Sequence, residues 1–125
     1  MGSRGTDRQG SDLRRIPERG DIWHIDLEPV RGSEQRGARP VLVLTREAFN
    51  RRGLMMVCPV TQGGAYARDA GFAVSLSGTG GETQGVVLVH QARMLSWADR
   101  SPRYIELLPD VVVDDVIARI GALLE

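Results

Sequence analysis

Any phosphate chemistry in this chain falls to arginine, hydroxyl and imidazole groups, because its 125 residues include 16 arginines and no lysine. Schiff-base and pyridoxal catalysis, a Walker-type phosphate loop and a lysine general base all require the missing amine. What remains is a planar, permanently charged fork that grips phosphate or carboxylate with paired hydrogen bonds. A GC-rich genome explains the overall arginine bias equally well. Metal ligation has no support in spacing: His24 and His90 stand 66 positions apart, Cys58 is the sole cysteine, and no His-x-x-His or Cys-x-x-Cys pair occurs. No cofactor motif is present, and no Gly-x-Ser-x-Gly marks a hydrolase nucleophile. Gly78-Thr79-Gly80-Gly81 runs into Glu82 and Thr83, so it reads as a hairpin turn. The residue types still permit metal-free phosphoryl transfer, such as cleavage of RNA by its own 2′-hydroxyl. Arg39 could hold phosphate oxygens, Thr61 could donate a hydrogen bond, and a histidine could serve as base or acid. His24, inside a strand pattern, reads first as a packing residue; His90, closing the run Val86-Val87-Leu88-Val89, has the better claim. Composition alone does not choose this chemistry over others.

The scaffold is legible from hydrophobic periodicity. Residues 1–19 contain few large apolar side chains and read as a polar tail or a cloning remnant, leaving a single domain over 20–125. Apolar and polar residues alternate from Ile22 to Leu27, as in a strand, until Pro29. After a glycine-punctuated loop, Val41 to Leu44 reads as a buried strand and Glu47 to Arg51 as one helical turn ended by Gly53. Leu54 to Val60 is the next strand, where Pro59 suggests an edge or a bulge. Phe72 to Leu76, Gly85 to Val89 and Arg103 to Leu107 supply three more strands. Asp110 is placed as the N-cap of the one long helix, with Val113, Val116, Ile117, Ile120, Leu123 and Leu124 on its apolar face. The expected fold is mainly β with a terminal helix: a small, strongly bent antiparallel barrel on which that helix packs.

The formal net charge of zero conceals a dipole, since residues 1–52 hold 11 arginines against 8 carboxylates while 53–125 hold 5 against 8. Arg31, Arg36, Arg39, Arg46, Arg51 and Arg52 cluster beside the glycine-rich loop, either as solvated surface charge or as a site for an anionic ligand. The single cysteine fits a reducing cytoplasm. No apolar run approaches the roughly 20 residues of a membrane span, and no signal-peptide core is visible, so a membrane is not an expected partner.

Five blocks occur in order: Gly20-Asp21-Ile22, Asp26-x-x-Pro29, Gly32-Ser33-Glu34-Gln35-x-Gly37-x-Arg39-Pro40, Cys58-Pro59-Val60-Thr61 and Gly85-Val86-Val87-Leu88-x-x-Gln91-x-Arg93. Together they resemble the MazF/PemK family of toxin endoribonucleases, over residues 20–125. The resemblance implies an SH3-like β-barrel homodimer that cuts single-stranded RNA at short motifs without a metal, leaving 2′,3′-cyclic phosphate and 5′-hydroxyl ends. It also implies a MazE-type antitoxin whose extended acidic segment occupies the RNA groove, with operator DNA reached only through that partner. The family's catalytic arginine falls on Arg39 and its threonine on Thr61. Glu34, Gln35, Arg36, Gln91 and Arg93 become candidate RNA-binding residues. Many relatives carry aspartate where this chain has His90, so a proton-transfer role there passes to imidazole. The loop after Thr61, 63–72, departs from the family pattern and leaves the cleavage motif open. Two other functions fit the same barrel: a non-catalytic toxin that poisons DNA gyrase, for which Arg39 and Thr61 would be dispensable, and a regulatory RNA-binding module that leaves RNA intact.

Overall fold

The computed structural model describes residues 15–29, 32, 34–63 and 70–125. Most of the expected tail (1–14), Arg31 of the arginine cluster, Ser33 of the glycine-rich block and 64–69 of the loop after Thr61 lie outside the described residues. Seven strands form: β1 (Asp21–Asp26), β2 (Ala38–Val43), β3 (Leu54–Thr61), β4 (Ala73–Ser75), β5 (Val86–Leu88), β6 (Arg93–Ser96) and β7 (Arg103–Leu107). A single helical turn, Glu47–Asn50, joins β2 to β3, and the C-terminal helix spans Asp110–Leu123. The strands pair antiparallel in the order β4-β5-β3-β2-β1-β7, and β6 also pairs with β3.

β6 is the strand that periodicity missed. A 3₁₀ turn at Val89–Gln91 separates it from β5, yet both lie against β3, with Val60 opposite Val87 and Val57 opposite Arg93. The two pieces act as one kinked strand. Cys58 and Pro59 fall between the two registers. Pro59 therefore sits within a central strand, at the point where β3 changes partners and the ladder is already interrupted, rather than at an edge.

Strand alternation sends side chains to two buried faces. Ile22, Leu42, Cys58, Val60 and Val87 share one cluster with Val113 and Val116 of the helix, Trp23, Ile25, Val41, Val43, Met55, Val57 and Trp97 form a second, and Ala73, Val86 and Leu88 a smaller third. Burial on both faces accounts for the unbroken run Val41 to Leu44. Cys58 is fully buried, which pushes its thiol up to about 12. It is a neutral packing group, not a nucleophile. The helix differs from expectation at both ends. Pro109 holds the N-cap position without a side-chain bond, and Asp110 is the first helical residue, where its carboxylate favours the helix dipole. At the other end Leu123 and Leu124 are exposed, beyond the part of the helix that packs on the barrel.

The domain also begins earlier than Gly20. Ile16 packs on the second cluster, and Pro17 is buried with its carbonyl accepting from Asn50 Nδ2 (2.8 Å). Arg19 Nε donates to Leu44 O (2.6 Å). The Arg15 guanidinium lies 3.4 Å from the centre of the Tyr104 ring. Residues 15–19 look like a polar tail because most of their anchors, Tyr104, Asn50 and Leu44 among them, are distant in sequence.

Candidate active site

The register of β2 on β3 pairs Val41 with Pro59 and Leu42 with Cys58. Continued by two residues, it sets Arg39 opposite Thr61, on the same face of the sheet. Arg39 is held by its own backbone surroundings: Nε donates to Arg36 O (3.0 Å) and Nη1 to Val60 O (3.4 Å). These bonds orient the fork, and among the described residues Nη2 makes no hydrogen bond. Thr61 Oγ1 accepts from Gly63 N (3.3 Å), so the hydroxyl oxygen is fixed and its hydrogen stays available to donate. Gly85, at φ +111°, lies so close that a Cβ there would strike the Thr61 carbonyl oxygen. Only glycine lets the β4–β5 loop approach the threonine this closely.

Arg39 and Thr61 both line a cavity of about 590 Å³. Its other walls are Ala38 and Pro40, Val60 and Gln62, loop residues Glu82, Thr83 and Gln84, and Arg103, Tyr104 and Ile105 of β7. Arg103 and the loop residues escaped the sequence reading. β7 reaches the cavity only by pairing with β1, where His24 sits between Pro40 and Arg103, and no local motif signals that neighbourhood.

The remaining candidates gather elsewhere. Glu34, Gln35, His90, Gln91 and Arg93 line a separate pocket of about 120 Å³, together with Leu27, Pro59 and Ala92. Gln91 Oε1 accepts from Gln35 N (2.8 Å), which ties the glycine-rich loop to the 3₁₀ turn, and Arg93 Nη1 donates to Leu27 O (3.2 Å). His90 is exposed and stacks on Phe72 with ring centroids 5.1 Å apart. The 3₁₀ turn carries it away from the Arg39–Thr61 cavity. Arg36 pairs with Glu28 (3.0 Å), whose other oxygen accepts from Gly37 N (2.8 Å). Arg46 pairs with Glu18 (3.9 Å) and Arg51 with Glu47 (2.7 Å). The arginine cluster is therefore largely neutralised at the surface, and of its described members only Arg39 lines the cavity.

Residues 18–124 match the family described as PemK-like, MazF-like toxin of type II toxin-antitoxin system. The chain is 45% identical over 118 residues to the endoribonuclease PemK of Escherichia coli, covering 94% of this chain and 86% of that protein. A crystal structure of MazF from Deinococcus radiodurans superimposes with a TM-score of 0.77 at 35% identity, covering 88% of this chain and 97% of that one. A MazE–MazF structure from the same organism gives 0.72 at 32% identity, with 88% and 96% covered. These likenesses, on a barrel that brings an arginine and a threonine into one cavity, place the protein among the endoribonuclease toxins. It belongs to the PemK-like, MazF-like toxin family.

Proposed function

We propose that this chain cleaves single-stranded RNA within mRNA, at short motifs and without a metal ion, and so blocks translation and growth. The 2′-hydroxyl gives its proton to solvent water as its oxygen attacks the adjacent phosphorus, the bond to the 5′-oxygen breaks and that oxygen takes a proton from solvent, and the products carry a 2′,3′-cyclic phosphate and a 5′-hydroxyl. A guanidinium is a permanent cation with donors and no acceptor, so the role of Arg39 is to stabilise charge on the phosphorane rather than to act as a free base. Thr61 donates its hydroxyl hydrogen to the same group. The observation that carries this reading is the convergence of Arg39 and Thr61, distant in sequence, on one cavity. Incubating the protein with mixed-sequence RNA oligonucleotides in EDTA tests it: the expected products have the two end groups named above. Intact RNA, or cleavage that appears only when magnesium is restored, would overturn it.

The MazE–MazF likeness supports a MazE-type antitoxin that fills the RNA groove and neutralises the toxin, with operator DNA engaged only through that partner. A homodimer in the cytoplasm completes the proposal. Glu34, Gln35, Arg36, Gln91 and Arg93 then border the substrate as binding or loop-ordering groups. For His90, stacked on Phe72 outside the cavity, binding is the better supported role. His90→Asn is accordingly expected to raise KM and to leave kcat unchanged. A fall in kcat with KM unchanged would return a chemical role to His90.

A further inference from the structure

One wall of the cavity is a loop rather than a strand: Glu82, Thr83 and Gln84 belong to the connection between β4 and β5. At its base, Leu76 N donates to Gly85 O (3.0 Å). Farther along, the loop is held by Glu106 of β7. One oxygen of that carboxylate accepts from Glu82 N (3.1 Å), and the other accepts from Thr83 N (2.8 Å) and from the Thr83 hydroxyl. Thr83 is itself buried. The fit is close enough that a Cβ at Gly81 would strike the Glu106 carboxylate, just as a Cβ at Gly85 would strike the Thr61 carbonyl. The loop is thus pressed onto β7 near one end and onto β3 at the other. Hydrogen bonds from backbone N–H groups to a carboxylate are roughly twice as strong as neutral ones. Because Arg103, Tyr104 and Ile105 line the cavity from the same strand, Glu106 couples the loop wall to the β7 wall.

We propose that Glu106 is a positioning residue. Its carboxylate fixes residues 81–85 so that Gly85 rests on the Thr61 carbonyl and Gln84 lines the cavity, which makes the loop a determinant of which nucleotides fit beside the scissile phosphate. This rests on the ribonuclease reading above. Hydrogen exchange and cleavage kinetics on the full chain test the two separately. In the wild type the Glu82 and Thr83 amides are expected to be protected. Glu106→Ala should speed their exchange about tenfold or more while the β1–β3 amides stay protected. The same variant should lose about tenfold to a hundredfold in kcat/KM on mixed-sequence RNA, chiefly through KM, and its cut sites should broaden. Glu106→Gln, which keeps one acceptor oxygen, should recover part of the loss. Unprotected Glu82 and Thr83 amides in the wild type would overturn the clamp, even if Glu106→Ala fails to fold. A folded Glu106→Ala with wild-type kinetics and cut sites would overturn it equally. Wild-type protein that shows the expected exchange pattern but cuts no RNA would support the clamp and refute the ribonuclease reading.

Discussion

Arg39→Ala is expected to lower kcat/KM for RNA about 100- to 1000-fold, with most of the loss in kcat. The guanidinium is set in place before substrate arrives, by Arg36 O and Val60 O, so little reorganisation is needed as charge builds on the phosphorane. An interaction that strengthens only in the transition state is removed from kcat, whereas a ground-state phosphate contact would appear in KM. Arg39→Lys keeps the charge but not the planar fork, and only part of the rate should return. Stability should change little, because Arg39 stands at the half-exposed start of β2 and belongs to none of the core clusters. Single-turnover cleavage in EDTA beside a thermal melt separates these effects. Undiminished cleavage by Arg39→Ala would remove the arginine from the mechanism.

Most of the elements that periodicity found bury a face, although β7, whose residues are at most half-buried, reads as a strand from its residue types alone. The alternation of Ile22 to Leu27, the run Val41 to Leu44 and the 3.6-period stripe from Val113 to Ile120 all correspond to real burial. β6 was invisible because Leu95 is its one buried residue and its identity as a strand comes from pairing with β3. The pairing of Arg39 with Thr61 was readable only through the family resemblance, since the register that sets them side by side is a tertiary fact. Arg103, Glu82 and Gln84 join the cavity from separate segments, and nothing local connects them. His90 lies at the end of the β5 pattern as expected, but the 3₁₀ turn decides where it points. The arginine cluster resolves toward the solvated-surface alternative at three of its members: Glu28, Glu18 and Glu47 fold back onto Arg36, Arg46 and Arg51 as exposed pairs, each worth about 1 kcal/mol or less.

Asp21→Ala is expected to destabilise the fold by about 3–5 kcal/mol, a fall in Tm of roughly 10–20 °C. Asp21 is completely buried, and its carboxylate accepts from Glu18 N (2.9 Å) and Trp23 Nε1 (3.1 Å). It also lies 3.6 Å from the Arg15 guanidinium, a side chain only 7% exposed. Among the described residues, truncation strands the Glu18 and Trp23 N–H donors and leaves a buried cation supported by the Tyr104 and Trp23 rings. Stacking on aromatic rings is worth about 2 kcal/mol or somewhat more when desolvated, less than the cost of an unpaired buried charge. Arg15→Met removes that cation, so the double variant should be less destabilised than the sum of the singles, with a coupling of about 1–3 kcal/mol in urea unfolding. Simple additivity would show that Arg15 and Asp21 do not act as a pair. The consequence reaches the site, because Arg15 packs on Tyr104, which lines the Arg39–Thr61 cavity together with its β7 neighbours Arg103 and Ile105. At temperatures where both proteins remain folded, Arg15→Met should therefore weaken RNA binding more than its modest loss of stability explains, since the residue it releases is part of the cavity wall.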